Sequence, residues 1–192
     1  HQDHIKGLNR VLDRCEVGLV LHYEVDYDLK EYELWYEHLE SVKVLPVVAG
    51  DELSLGSAGG NEINLIVVWP DEPGKHKDNI NNASVSILLD VGDYEVLFLG
   101  DLEKEASSRI DTRLLSKYVD GQLEVYKVPH HGSLDSNNQE LAQFLKPKLC
   151  LVSVGEDNEF NHPSQETMDT LDELGCEVMR TDQVGSIEVL IN

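Results

Sequence analysis

The chain has 192 residues, of which 41% are hydrophobic and 27% are charged, a composition that suits a single globular domain with a substantial core. Its 37 acidic residues outnumber its 15 basic ones and give a formal net charge of −22. This balance argues against a basic nucleic-acid module and against a polybasic membrane-surface segment. The sequence contains no apolar run near the roughly 20 residues that span a bilayer, so we expect no membrane segment within it.

We expect residues 1–192 to form one domain that is a fragment of a longer chain. The sequence begins at His1, without a methionine, in a polar stretch rich in histidine. It holds no internal repeat and no low-complexity tract that would divide it. The polar segment 71–82, which follows Pro70, reads as a long surface loop within the domain.

The three cysteines predict neither a disulfide framework nor a cysteine zinc site. Cys15, Cys150 and Cys176 lie far apart in the sequence, and none belongs to a CxxC pair. Each falls in an apolar pattern, so we expect all three to be reduced and to pack as small apolar residues.

Helix and strand patterns alternate along the whole chain. Apolar residues at helical spacing predict helices over 5–15, 29–39, 102–118, 139–145 and 165–174. Short apolar runs predict strands over 17–21, 43–48, 52–55, 63–69, 84–91, 94–99, 123–128, 149–154, 176–179 and 187–191. Gly92-Asp93 is a hairpin-type turn between two of these strands. Hairpins in the first half and βαβα in the second favour an α+β or α/β fold with two sheets covered by helices.

A histidine-rich motif stands at the start of the chain. His1, Asp3 and His4 offer imidazole and carboxylate ligands within four residues, immediately before the first predicted helix. Such ligands suit zinc, manganese or iron. The alternative is a polar helix N-terminus in which Asp3 serves as a cap.

Asp101 follows the apolar run 94–99 through Gly100, at the end of a predicted buried strand. Its carboxylate has two oxygens and can therefore bridge two cations. Capping of the following helix is the competing interpretation, and for this residue taken alone it is the favoured one.

Two further histidine motifs lie in predicted loops of the second half. His130 and His131 end a strand and precede Gly132, which allows a close approach of the backbone. Adjacent side chains diverge, so one of these histidines can bind metal while the other meets substrate. His162 precedes Pro163, which is suited to the first turn of a helix, and points out of its loop.

Taken together, these motifs resemble the metallo-β-lactamase-fold domain of ComEC-type DNA-internalisation competence proteins. The motifs HxDH (1–4), GD (100–101), HHGS (130–133) and NxxNHP (158–163) occur in the order expected for that family. The resemblance extends to 50–53, 81–84, 149–155 and 180–185, and so covers essentially the whole chain. It implies a four-layer αββα sandwich, here without the N-terminal strands of that fold. Lys6-Gly7 departs from the glycine pair that usually follows the first motif.

The resemblance also implies the roles of the site residues. It predicts a site for two divalent ions, zinc or manganese, with Asp101 as the bridging carboxylate. The implied metal ligands are His1, Asp3, His4, Asp101 and His131. His130 is expected to contact phosphate oxygens, and His162 to act as a ligand or as a substrate contact; these two are the candidate catalytic residues. Asn82, Ser133 and Asn161 are the candidate substrate-binding residues.

The predicted function is metal-assisted hydrolysis of a phosphodiester, with single-stranded DNA taken up by the cell as the leading substrate. In that case the chain is a soluble domain of an inner-membrane protein, and the membrane channel of the same protein delivers the strand. Two alternatives remain open. One is a free-standing hydrolase of small phosphodiesters or lactones, and the other is a non-catalytic module with a degenerate site.

Overall fold

A seven-stranded mixed sheet forms the centre of the protein in the computed structural model, which describes residues 1–25, 30–74, 76 and 78–191. The strands stand side by side in the order of the chain. They are β3 (Glu52–Ala58), β4 (Asn61–Trp69), β5 (Ser86–Val91), β6 (Tyr94–Phe98), β7 (Val125–Lys127), β8 (Leu149–Val152) and β9 (Glu177–Arg180). Strands β3 to β6 pair antiparallel with their neighbours, and β6 to β9 pair in parallel through longer crossover connections.

A second, smaller sheet lies with the first two helices. Within the described residues it consists of β1 (Val20–His22) and β2 (Val44–Pro46), which pair in parallel. Helices α1 (Gln2–Arg14) and α2 (Lys30–Leu39) pack with it, and the buried side chains of Trp35 and Leu39 belong to its core. The expected class, a fold with two sheets and flanking helices, is confirmed, although the second sheet is reduced to two strands in the part of the chain that the structure describes.

The remaining helices lie in the connections between the parallel strands of the large sheet and after the last of them. They are α3 (Lys104–Ser107), α4 (Thr112–Leu115), α5 (Gln139–Leu145), α6 (Gln165–Glu173) and α7 (Thr181–Val184). Side-chain caps mark the start of α5 and α6: the Asn138 side chain accepts from Leu141 N–H, and the Ser164 hydroxyl accepts from Thr167 N–H. Among the described helices, none combines the length and the apolar character needed to cross a bilayer.

The main core lies along the large sheet and anchors the segment that carries Asp101. Trp69, Leu88 and Leu97 are fully buried. Leu99 and Leu102, on either side of Gly100-Asp101, are also fully buried. Burial of each such side chain stabilises the fold by about 1.5–3 kcal/mol. The turn between Leu99 and Leu102 is therefore fixed from both ends.

Most predicted elements are present, and three differ. The predicted helix 102–118 is two short helices, because Asp111 ends one stretch and caps the next by accepting from Arg113 N–H. The predicted strand 187–191 is absent, since its apolar residues find no strand partner in the described chain and leave Leu190 72% exposed. The predicted loop 71–82 ends in a 3-10 turn, Ile80–Ala83. Position 29 of the second predicted helix and positions 75 and 77 of the loop lie outside the described residues.

The prediction that all three cysteines are reduced is wrong for two of them. Cys150 lies on β8 and Cys176 immediately precedes β9, and the two form a disulfide with their Cα atoms 6.1 Å apart. They are 26 residues apart in sequence, but the parallel pairing of β8 with β9 brings them together. Sequence spacing gave no sign of this pairing. Cys15 is a free, exposed thiol.

A carboxyl pair occupies the amino-terminal edge of the parallel strands. Glu95, at the start of β6, is 6% exposed, and its N–H donates to the Glu124 carboxylate at 3.2 Å. Lys148 Nζ donates to the same carboxylate at 2.8 Å. Burial, followed by the hydrogen bond and the charge of Glu124, raises the pKa of Glu95 to about 8. At neutral pH the pair therefore retains a proton.

Candidate metal centre

The candidate site lies at the opposite, carboxyl-terminal edge of the parallel strands. Asp101 follows β6, and His130 and His131 follow β7. Because the carboxyl ends of parallel strands meet at one edge of a sheet, these residues converge there. The amino-terminal end of α1 lies against the same edge and adds Asp3 and His4.

Four ligand atoms converge at this edge. One atom each from Asp3, His4, Asp101 and His131 lies within 4.8 Å of the others, and no other such group of three or more was found in the described chain. His4 Nε2 is 2.9 Å from Asp101 Oδ2, and His131 Nε2 is 3.3 Å from Asp3 Oδ2. Two imidazoles and two carboxylates form a donor set suited to zinc or manganese.

The position of Asp101 is fixed by the loop beneath it. Gly100 has φ +61°, and a Cβ atom there would lie 2.9 Å from Ser84 Oγ, so a residue without a side chain is required. Ser84 Oγ accepts from Asp101 N–H at 3.1 Å and donates to Asn81 C=O at 2.8 Å. The Gly100 carbonyl accepts from His130 N–H at 3.0 Å. The metal-facing carboxylate and the histidine turn are therefore joined through the backbone.

Asn82 supports this loop from within. Its side chain is buried, its Oδ1 accepts from Glu103 N–H at 3.1 Å, and its carbonyl accepts from Trp69 Nε1 at 2.8 Å. Glu103 in turn accepts from Asn79 and Asn81. Asn82 was predicted to contact substrate; the structure places its side chain in the interior, where its contacts are those of a residue that holds the loop.

The orientation of His131 is that of a metal ligand. Its Nδ1 donates to the Ser153 carbonyl at 2.7 Å, and its Nε2 is directed at the carboxylates. Nε2 is buried and makes no hydrogen bond. Metal-binding histidines commonly donate their second ring nitrogen to a carbonyl in this way. An orphaned, buried acceptor between two carboxylates fits a cation.

Thr181 fixes the carbonyl that orients His131. Its Oγ1 accepts from Val154 N–H and donates to Val154 C=O, both at 2.8 Å. Val154 adjoins Ser153 just after β8, so the start of α7 holds this stretch of backbone in place. The resemblance covered 180–185 but assigned Thr181 no role, because this residue is distant in sequence from every histidine motif.

The imidazole of His4 and the carboxylate of Asp101 shift each other's pKa values in opposite directions. The hydrogen bond to Asp101 raises the pKa of His4 above its ordinary value, against the opposing effect of burial. Burial on its own would raise the pKa of Asp101, but the hydrogen bond from His4 and the charges of His4, His130 and His131 outweigh it and lower that pKa. Asp101 is therefore ionised and able to bind a cation at neutral pH.

A left-handed turn presents the two adjacent histidines. His130 and His131 have φ of +47° and +55°, and Gly132 has φ +81°. A Cβ atom on Gly132 would lie 2.5 Å from Pro163 Cβ, so only glycine fits beside the second loop. Non-glycine residues at positive φ are uncommon and are concentrated at functional sites. The turn aims the His131 ring at Asp3 and places the His130 ring 5.8 Å from that of His162.

His130 and His162 form a second group beside the ligand cluster. The Nδ1 atom of His130 is buried without a hydrogen bond. Burial, and then the charges of His130 and His131, lower the pKa of His162, so its ring is neutral at pH 7. The loops that carry them are bonded by Ser164 N–H to Gly132 C=O at 2.9 Å. Both rings are thereby held next to the ligand cluster without belonging to it.

Three other predicted residues lie around this group in different environments. His1 is exposed at the start of α1 and, with His4 and Asp101, lines a cavity of about 290 Å³, but it is not one of the four converging ligands. Asn161 is exposed beside His162, with φ +55°. Ser133 is buried, and its Oγ accepts from Asp135 N–H at 3.3 Å. Such burial does not match the predicted substrate contact by Ser133.

Lys127 is a charged residue of this region that the motifs did not identify. It lies on β7, its Nζ donates to Val128 C=O at 2.8 Å, and burial lowers its pKa while the charge of Asp101 opposes that effect. A sequence signal was present, since a lysine interrupts the apolar run 123–128. A half-buried cation near Asp101 balances part of the negative charge of the site.

Comparisons with known proteins agree with this arrangement. Residues 1–155 match the family model described as "Metallo-beta-lactamase superfamily". The chain is 31% identical over 149 residues to ComE operon protein 3 of Bacillus subtilis, with 78% of this chain and 18% of that protein covered. It is also 31% identical over 109 residues to Recombination protein 2 of Haemophilus influenzae, with 57% of this chain and 13% of that protein covered. The predicted resemblance to ComEC-type domains is confirmed, and the chain spans less than a fifth of the length of these relatives.

A solved structure shares the fold at low sequence identity. A mutant of CmlA beta-hydroxylase superposes with a TM-score of 0.53 at 16% identity, over 94% of this chain and 41% of that one. At this identity the likeness concerns the fold alone.

Proposed function

The chain belongs to the metallo-beta-lactamase superfamily, and we propose that it is a metal-dependent phosphodiesterase that cleaves single-stranded DNA during DNA uptake. The observation that carries the proposal is the convergence of Asp3, His4, Asp101 and His131, with His130 and His162 beside them. Membership of the superfamily supports a hydrolase that binds divalent metal. DNA as substrate is the finer step, supported by the homology to competence proteins.

The proposed ligands are Asp3, His4, Asp101 and His131, joined by His1 from the first turn of α1. We assign them two divalent ions, zinc or manganese, with the carboxylate of Asp101 as the bridging ligand. Such ions supply a hydroxide nucleophile at neutral pH and polarise a phosphoryl oxygen. The buried position of Asp101 and the bond from His131 to Ser153 keep the donor atoms in place before any ion binds.

The other residues of the site handle the phosphate. His130 and His162 lie beside the ligands and can hydrogen-bond phosphate oxygens as negative charge develops, the kind of contact that contributes most to such reactions. His162 is neutral, so it can also accept a proton. Asn161 is exposed next to His162 in the chain and is our proposed substrate contact. Asn82 and Ser133 contribute by holding the loops that carry Asp101 and the histidine turn.

If DNA is the substrate, the proposal also names a partner that brings the DNA to the chain. We propose that it is a soluble domain of an inner-membrane protein and that the channel portion of that protein delivers the strand. A specific observation favours a second candidate: the net charge of −22 opposes binding of a long polyanion, since phosphate neutralisation supplies much of the affinity for DNA. Small phosphodiesters avoid this cost, so a hydrolase of such substrates is the alternative.

The test measures metal content and hydrolysis on the same protein. The purified chain is loaded with Mn²⁺ or Zn²⁺ and assayed on single-stranded DNA, on duplex DNA and on bis-p-nitrophenyl phosphate. We expect Asp101→Asn to lose metal and at least about 10²-fold in hydrolysis. Asp120→Asn, at an exposed carboxylate outside the site, is the matched control and should match the wild type.

Each outcome separates the candidates. Cleavage of single-stranded DNA that requires metal and Asp101 supports the nuclease. Hydrolysis of bis-p-nitrophenyl phosphate without cleavage of DNA supports the hydrolase of small phosphodiesters instead. A metal-loaded chain that cleaves none of these substrates, or an Asp101→Asn variant with full activity, refutes the proposed function.

A further inference from the structure

Phe160 is an apolar side chain that the fold leaves open to solvent. Its ring is 76% exposed, the highest exposure of any large apolar side chain among the described residues. Burial of a phenyl ring is strongly favourable, so a ring held in this position contributes little to the stability of the described chain. An exposed ring of this size is typical of a contact surface.

The loop that carries the ring is held by hydrogen bonds. Asn158 Nδ2 donates to Gly155 C=O at 3.1 Å and to His162 C=O at 2.7 Å. Asn158 Oδ1 accepts from His162 N–H at 2.9 Å. One side chain thus closes the loop around Phe160. The ring is presented in a fixed place, which lowers the entropic cost of a contact made there.

The Phe160 ring is the outermost of a series of neighbouring rings that ends at the candidate metal centre. The Phe160 and His162 rings are nearly parallel, 18° apart with their centroids at 5.7 Å. His162 is next to His130 at 5.8 Å, and His130 is 6.3 Å from His131, one of the four converging ligands. The four rings therefore form a continuous row that runs from the exposed Phe160 to the candidate metal centre.

The acidic side chains on this loop oppose the binding of a phosphate group beside the ring. Glu156, Asp157 and Glu159 lie on the same loop, and the whole chain carries a net charge of −22. A strand that binds here cannot obtain its affinity from basic residues in this loop. Stacking of a base on an aromatic ring needs no positive charge and tolerates any sequence. It does need a base with an open face, which a paired duplex does not offer away from its ends.

We propose that Phe160 is a stacking platform for an unpaired nucleobase next to the metal centre. The inference rests on the proposed nuclease function and names the part of the substrate that supplies binding: the base, in single-stranded nucleic acid. Affinity that comes from stacking depends less on salt than affinity from phosphate contacts. The platform thus explains how an acidic chain can bind a polyanion.

The test compares a strand that has bases with one that lacks them. Binding of fluorescein-labelled oligothymidylate and of an abasic strand of equal length is measured by fluorescence anisotropy, with Mn²⁺ present and with cleavage followed in parallel. Stacking on one aromatic ring is worth about 5- to 150-fold in affinity. We expect the wild type to prefer the thymidine strand by that factor, and Phe160→Leu to bind both strands alike. Phe160→Trp should keep the preference.

The outcomes of the two proposals are distinguishable. Preferential binding of the thymidine strand that is lost in Phe160→Leu supports the platform, and if no cleavage accompanies it, the nuclease function fails while the platform stands. Cleavage with equal affinity for both strands in the wild type overturns the platform and leaves the nuclease. Unaltered preference in Phe160→Leu, or no binding of the thymidine strand by the wild type, also overturns the platform.

Discussion

The two adjacent histidines provide a sharp test of the site, because the structure gives them different surroundings. His131 directs its Nε2 at Asp3 and Asp101, whereas His130 turns toward His162. Replacing each with alanine should therefore have different consequences. His131→Ala should lose metal, and His130→Ala should keep metal but lose turnover.

The expected magnitudes follow from the number and kind of contacts. At a metal concentration of 100 times the dissociation constant, binding stabilises the native state by about 2.7 kcal/mol. For a chain of this length, that raises the melting temperature by about 5–10 °C in the wild type and in His130→Ala. His131→Ala removes one of four converging ligands and should show no such rise. Loss of a donor to developing charge should lower the turnover of His130→Ala by about 10²–10³-fold.

The assay pairs thermal unfolding, with and without metal, with elemental analysis and hydrolysis of bis-p-nitrophenyl phosphate. Unfolding in excess chelator serves as the control, since the two variants should then differ little from the wild type. Reversed behaviour would exchange the roles of the two histidines. Full metal content and full turnover in both variants would remove the histidine turn from the catalytic centre.

Two further predictions concern residues outside the ligand cluster. Because the folded-state pKa of Glu95 is raised to about 8 while the unfolded value is near 4.5, the folded state loses stability as the pH rises between these values. We expect the wild type to lose about 1–3 kcal/mol of unfolding free energy between pH 6 and pH 8 in urea titrations. Glu95→Gln should lose clearly less, with the remaining slope due to histidines such as His4; an equal slope in both would contradict the raised pKa. Thr181→Val should weaken metal binding about 10- to 100-fold in isothermal titration, because Val154 and Ser153 lose their support, and unchanged affinity would exclude this positioning role.

The sequence was informative wherever local pattern decides structure. The apolar periodicity and polar ends of 139–145 predict a helix that is present with the same bounds, α5. The Gly92-Asp93 turn joins β5 to β6 as expected, with Gly92 at φ +66°. Histidines and an aspartate at predicted strand ends converge because parallel strands end at a common edge. Four of the five predicted metal ligands lie in the cluster: Asp101 and His131 for this reason, and Asp3 and His4 because α1 packs against the same edge.

What the sequence did not reveal depends on contacts between distant segments. The Cys150–Cys176 disulfide follows from the pairing of two strands, and no spacing rule predicts it. Thr181 acts on His131 through two backbone groups, so its role exists only in three dimensions. Asn82 has the residue type of a substrate contact, but burial turns it into a loop support. Residue type identifies which side chains can do chemistry, while burial and hydrogen bonding decide which are available for it.

The ligands come from both halves of the fold, and this determines what metal binding does to the structure. Asp3 and His4 belong to α1, which packs with the smaller core around Trp35, whereas Asp101 and His131 extend from the larger core of the seven-stranded sheet. Between these ligands, the contact across the two halves is carried by the short His4–Asp101 hydrogen bond and the longer approach of His131 to Asp3. A cation that binds all four replaces these weak links with coordination bonds. Metal binding should therefore fasten α1 to the large sheet, so that completing the site and joining the two halves are the same event.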